Sequence, residues 1–195
     1  GVGKIAHYNL AAKTWSYGPA PTGFYYASAS ELDPVSGKII IIGPNRQGGA
    51  GMLWTYDPAA RVITAYPNIP NPKGLSLNLV YFPPTDKFYL ISRATPSIPA
   101  TGAVWEVTYD RAVPSQSTIV AVTGITGTFP PLSTTGGQTG YAYDSVNQVI
   151  GGSVNTGKFY TYNPVTKVWT QLTIQGAASV CASAANQAFT AIDYD

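Results

Sequence analysis

Tyr162-Asn-Pro-Val-Thr-Lys-Val-Trp169 is the clearest copy of a pattern that recurs along the chain. Tyr8-Asn-Leu-Ala-Ala-Lys-Thr-Trp15 and Tyr56-Asp-Pro-Ala-Ala-Arg-Val-Ile63 repeat it, each with a large apolar residue seven positions after the tyrosine. Tyr109-Asp-Arg-Ala-Val-Pro is a degenerate fourth copy. The tyrosines are about fifty residues apart, a period at which self-similarity signals a propeller or solenoid. Upstream, Gly3, Gly51 and Gly157 each precede their tyrosine by five residues. The Asx-Pro that follows Tyr56 and Tyr162 starts a turn, because Pro pre-sets its φ and the Asx side chain bonds to amides ahead of it.

No apolar pattern of period 3.6 persists for three turns, whereas short β-branched and aromatic runs broken by Gly, Pro, Asn and Asp occur throughout. The expectation is an all-β chain in which each Gly-to-Tyr segment is the third strand of a four-stranded unit and Trp15, Ile63 or Trp169 lies on the fourth. Apolar hairpins precede these strands, around Asp33 to Gly37, Pro83 to Asp86, Asp144 to Asn147, and Ala185-Asn186. The last hairpin lacks third and fourth strands after it, and those strands stand at residues 1–18. The reading is therefore one β-propeller domain over 1–195, with blades at about 24–67, 75–123 and 138–173 and a blade formed from 179–195 plus 1–18.

The glycine doublet Gly151-Gly152, followed by Tyr162-Asn-Pro and Trp169, resembles the Kelch repeat, in which such a doublet ends the second strand and a Tyr and Trp come later in the blade. The resemblance implies a β-propeller. It is strongest over 141–173; Gly43-Pro44 stands where the doublet would be in the first unit, and Ile63 replaces the Trp. Kelch propellers commonly have six or seven blades, so four is a departure. Some Kelch-like propellers are copper radical oxidases, but one His and one Cys cannot build that copper site.

At 195 residues the chain has the size of one domain, and 45% apolar residues suffice for a packed core. Only 10% of residues are charged, against a usual share of about 25%. A surface rich in Ser, Thr, Asn, Gln, Gly and Tyr points to an extracellular, secreted or virion-surface setting. The net charge is +2 with basic residues scattered singly, so no nucleic-acid footprint is expected. No run of 18 apolar residues occurs, so membrane insertion by a helix is not expected. The lone Cys181, in an apolar small-residue run, reads as a small buried hydrophobe.

No cofactor or metal site is expected. His7, one position before a repeat tyrosine, has no second His beside it and reads as a strand residue with a satisfied ring nitrogen. Asp33, Asp57, Asp110 and Asp144 occupy turns that the repeat explains. Glu31, Glu106, Asp86, Asp193 and Asp195 are left as candidates for a glycosidase-type pair, although Glu31 and Lys38 flank a hairpin where a cross-strand ion pair is the plainer account. The repeat aromatics, including Tyr8, Trp15, Tyr162 and Trp169, are expected to pack blades.

What a propeller offers is a face, because the loops linking second to third strands and those linking blades emerge at one end. That face would collect Asn45, Arg46 and Gln47, then Arg93 and Asn155, with Phe24, Tyr25 and Gln138 from the blade-to-blade links. Aromatic rings stack on the C–H faces of sugars while amides and Arg bond their hydroxyls. The expected function is a non-catalytic recognition module for a glycan or a protein surface. The alternatives are a self-assembling subunit of an extracellular or virion assembly, and a carbohydrate-active hydrolase or lyase.

Overall fold

The computed structural model describes residues 4–19, 28–43, 51–70, 75–93, 104–130, 140–154 and 158–173. Among these the chain is all β, with two short 3-10 turns, Pro83–Thr85 and Pro114–Gln116. Strands β1 (Ala6–Asn9) and β2 (Thr14–Tyr17) form a two-stranded hairpin. The first full sheet runs in order through β3 (Ala29–Asp33), β4 (Lys38–Gly43), β5 (Gly51–Asp57) and β6 (Val62–Ile69). The second holds β7 (Leu75–Phe82), β8 (Lys87–Arg93), β9 (Val104–Thr108) and β10 (Thr118–Ala121).

In the third sheet β12 (Gly140–Asp144), β13 (Val149–Val154), β14 (Lys158–Asn163) and β15 (Val168–Leu172) are joined by β11 (Thr126–Gly127). That short strand pairs parallel with β15. It comes from the link after the second unit, and no sequence signal pointed to it. Gly127 adopts a φ of 95°, and a Cβ there would lie 2.0 Å from the Trp169 carbonyl oxygen, so only glycine lets the link approach β15 so closely.

The turn chemistry follows the repeat. An Asx carboxylate or amide oxygen accepts from amides two and three residues ahead at Asp33, Asp57, Asp110, Asp144 and Asn163. Five residues after their tyrosines, Lys13, Arg61 and Lys167 all turn to positive φ. This left-handed residue closes the turn into the fourth strand, a regularity that the basic residue in each copy does not itself announce.

The sheets pack face to face in series. Lys38-Ile-Ile-Ile-Ile-Gly43 is apolar without alternation because both faces are covered. Ile40 and Ile42 join Leu53, Leu79, Phe88, Leu90 and Val107 between the first and second sheets. Ile41 turns the other way, with Trp54 and Tyr56, toward Ile5 of the hairpin. Between the second and third sheets lie Phe82, Tyr89, Ile91, Ile150, Tyr162 and Trp169. First strands are neighbours: β3 lies against β7, and β7 against β12. The described strands do not form a closed ring.

One expectation needs correction. Tyr162, Trp169 and Tyr56 are buried as blade-packing residues, but Tyr8 and Trp15 are not, standing 45% and 65% exposed. They pack on each other, with ring centroids 4.9 Å apart. The physical reason is that no described sheet covers that side of the hairpin.

Candidate functional site

The two ends of the sheets are distinguishable by contacts between them. Asp33 closes β3 and Asp86 follows β7, and the Arg111 guanidinium bridges both; Phe82 at the end of β7 meets Tyr143 near the end of β12, with centroids 5.4 Å apart. The first-hairpin turns of all three sheets thus share one end. Because the strands are antiparallel, Gly43, Arg93 and Val154 finish β4, β8 and β13 at the opposite end. The second strands of three consecutive sheets therefore end together.

The predicted face residues are divided between the links that follow second strands, the links that precede first strands, and the end of β8. Asn45, Arg46 and Gln47 lie between β4 and β5, Asn155 between β13 and β14, Phe24 and Tyr25 before β3, and Gln138 before β12; all seven fall outside the described residues. Arg93 is the last residue of β8, described in its backbone only.

At the other end sits a charged group that motif reading missed. Arg111 donates from Nε and Nη2 to the two oxygens of Asp33, each at 3.0 Å. It also donates from Nη1 to Asp86 Oδ2 at 2.8 Å and from Nη2 to Asp86 Oδ1 at 2.6 Å. Asp33 is fully buried. Burial alone would raise its carboxyl, but the bonds from Arg111, the Ser36 hydroxyl and the Val35 amide outweigh that and hold it below the ordinary value. Asp86 is held at about 2, chiefly by Arg111 and then by the Tyr81 hydroxyl, which donates to it at 2.9 Å. Every polar arm of this group points to another protein group, so it joins sheets and does not await a ligand. Its only sequence signal was an arginine in the degenerate fourth copy.

Glu106, on β9, accepts from Lys87 Nζ at 2.5 Å and the Tyr89 hydroxyl at 3.2 Å. It shares with Tyr89 the face of the second sheet that packs on the third. Glu31 stands opposite Ile40, on the first-sheet face that packs on the second. The second sheet therefore separates the two carboxylates, and they do not converge as a glycosidase pair must. The same register places Lys38 opposite Asp33, so Glu31 and Lys38 are not directly opposed. His7 Nε2 is hydrogen-bonded to the Tyr56 hydroxyl, which ties the β1–β2 hairpin to the first sheet. No cluster of three or more metal-ligating side chains occurs among the described residues.

A cleft of about 430 Å³ opens on the outer face of the third sheet, lined by Ala142, Asp144, Asn147, Val149, Gly151, Phe159, Thr161 and Leu172. Within it Asp144 and Asn147 are engaged with each other in the β12–β13 turn, Nδ2 donating at 2.7 Å. The remaining surface is mostly apolar. Gly151 makes the hollow, since its neighbours across the sheet are Ala142 and Thr161.

No protein-family model matches this chain, and no curated protein sequence matches it either. Solved structures do. The chain is similar to an auxiliary nutrient binding protein from Bacteroides ovatus, at 13% identity and a TM-score of 0.53 over 91% of this chain and 38% of that one. It is likewise similar to TolB from Acinetobacter baumannii, at 16% identity and a TM-score of 0.52 over 87% of this chain and 37% of the other. At such identities the likeness is one of fold. The chain spans under two-fifths of either protein's length.

Proposed function

We propose that this chain is a non-catalytic recognition module built as a small Kelch-like β-propeller of about four blades, acting outside the cytosol on a polar ligand, a glycan or a protein surface. The observation that carries the reading is the departure of three successive second-to-third-strand links from one end of sheets whose first strands lie side by side. In a propeller that end collects side chains distant in sequence, and here it would gather Arg46, Asn45 and Gln47 with Arg93 and Asn155. The likeness to a nutrient binding protein and to TolB supports a binding role. Glu31 and Glu106, on opposite sides of one sheet, weaken the hydrolase alternative.

The test is an array of neutral and acidic oligosaccharides probed with the labelled chain, beside Arg46→Ala/Arg93→Ala. Hydrogen bonds to charged groups contribute about 1.5–3 kcal/mol each, so the double variant should lose at least about tenfold in affinity while keeping its far-ultraviolet circular dichroism. Equal binding of every detected ligand by both proteins would refute the face. Turnover of a polysaccharide, abolished by Glu106→Gln, would return the enzyme reading to first place.

A further inference from the structure

The cleft on the third sheet combines a missing side chain with a fixed charge. Ala142, Gly151 and Thr161 stand in one row across the sheet, on the face turned away from the second sheet. Asp86 and Gln148 are the left-handed residues that end the first hairpin turns of the second and third sheets, both at φ 52°. Three residues after each come Tyr89 and Gly151, so the position that a ring fills in the second sheet is bare in the third. The Phe159 ring leans over it. A Cβ on Gly151 would meet Phe159 Cε1 at 3.1 Å and Cζ at 3.4 Å, with the Thr161 methyl at 3.9 Å. Small residues therefore floor the cleft of about 430 Å³, and an aromatic edge forms one wall.

Asp144 lines the same cleft one strand over and two residues along, about 8 Å from Gly151 by strand rise and spacing. Its Oδ1 accepts from the Val146 and Asn147 amides at 2.9 and 3.0 Å, and its Oδ2 from Asn147 Nδ2 at 2.7 Å. A carboxylate has about four lone-pair positions, so a further donor can still reach Oδ2. The bonds from Asn147 hold Asp144 below its ordinary value, and the group is ionised across the neutral range. None of the lining residues is basic. The cleft thus carries one uncompensated negative charge at the end of an apolar trough.

Cavities of this size, apolar with a few polar groups, are the common form of a small-molecule site. A sugar would set most of its hydroxyls against Ala142, Val149, Phe159 and Leu172, where they find no partner. We propose that the cleft is a second binding site, for a small organic cation with a flat apolar body. The body lies over Gly151 and Ala142 against Phe159, and its ammonium group donates to Asp144. The site is built from the third sheet alone and shares no residue with the link-end face, so either can fail without the other.

The probe is phenethylamine, with neutral phenethyl alcohol and anionic hydrocinnamate as controls of matched shape. Each is titrated into the full isotope-labelled chain, and the backbone amide resonances are followed by nuclear magnetic resonance. Asp144→Asn removes the charge and keeps the turn, since Asn163 makes the same turn with its amide oxygen. Ala142→Leu fills the floor, with circular dichroism as the check on its fold. Expected are shifts at Ala142, Gly151 and Thr161, and amine binding at least about tenfold tighter than alcohol binding, from one hydrogen bond to a charged group. Hydrocinnamate is expected not to bind. Asp144→Asn should bring the amine down to the alcohol, and Ala142→Leu should abolish both. Equal binding of amine and alcohol, a preference that survives Asp144→Asn, shifts confined to other residues, or no binding of the amine would each overturn the proposal.

Discussion

Replacing Arg111 by Met removes the charge that joins the first two sheets while keeping much of the side chain's length. Asp33 then stays in a fully buried position with only its own turn, the Ser36 hydroxyl at 2.6 Å and the Val35 and Ser36 amides at 3.3 Å, to hold its charge. Stripping one partner from a buried ion pair costs about 3–5 kcal/mol. Arg111 is itself a quarter exposed, and the turn bonds remain, so the lower end of that range applies, about 3 kcal/mol. The Asp86 arm, more than half exposed, adds no more than about 1 kcal/mol. In a domain of this size each kcal/mol moves Tm by roughly 2–4 °C, so a fall of about 6–12 °C is expected.

The pH dependence of that loss identifies its cause. Both carboxyls lie below their ordinary 3.8 in the folded protein, Asp86 at about 2. Groups depressed by folding add stability that is complete above the unfolded value and is lost as pH falls through the folded one. The gap between wild type and Arg111→Met should therefore be full at pH 6–7 and close progressively below about pH 4 toward about pH 2. Urea denaturation at several pH values, with m compared between the proteins, measures it. A loss at neutral pH within the range of exposed pairs, about 0–1 kcal/mol, or a loss of the same size at pH 2.5 and pH 7, would refute the assignment of Arg111 as an inter-sheet clamp.

The glycine doublet should respond asymmetrically to Ala. A Cβ on Gly152 would meet Tyr141 Cδ1 at 2.2 Å and the Gly140 carbonyl oxygen at 2.5 Å, whereas one on Gly151 meets Phe159 Cε1 at 3.1 Å; Gly152→Ala is expected to cost about 1–3 kcal/mol and Gly151→Ala distinctly less, by chemical denaturation. Trp169→Ala should cost about 3–5 kcal/mol, since the ring is buried against Tyr162 and Tyr141, and a value below that of an ordinary surface change would mean the third sheet does not pack on the second as described. The buried Tyr162 hydroxyl has no hydrogen-bond partner among the described residues, so Tyr162→Phe should be neutral or stabilising; a loss above about 1 kcal/mol would reveal a bond to that oxygen. Glu106→Gln, at an ion pair about a third exposed, should change stability by less than about 1 kcal/mol.

The repeat made the strands legible because each of its signals acts within a few residues. Asx oxygens cap the amides two and three positions ahead, Pro pre-sets a turn, and period-2 side chains need two faces. Tyr162 and Trp169 could be read as packing residues for the same reason, since their register across one turn is local. Reading Tyr8 and Trp15 by the same rule did not carry over, because burial depends on which sheet lies opposite and no local signal records that. Antiparallel topology fixes that the second strands end together, while the side chains of the candidate face lie outside the described residues.

By itself the chain determined an all-β fold, the spacing of its four-stranded units and the turn that begins after each tyrosine, all consequences of short-range chemistry repeated along the sequence. Only the tertiary structure decided that Arg111 bridges carboxylates 78 and 25 residues away, that one sheet keeps Glu31 and Glu106 apart, that a link strand joins β15, and that Gly151 leaves a hollow where its counterpart in the second sheet is Tyr89. Those outcomes arise between sheets, where register and packing bring together residues that no pattern along the chain connects.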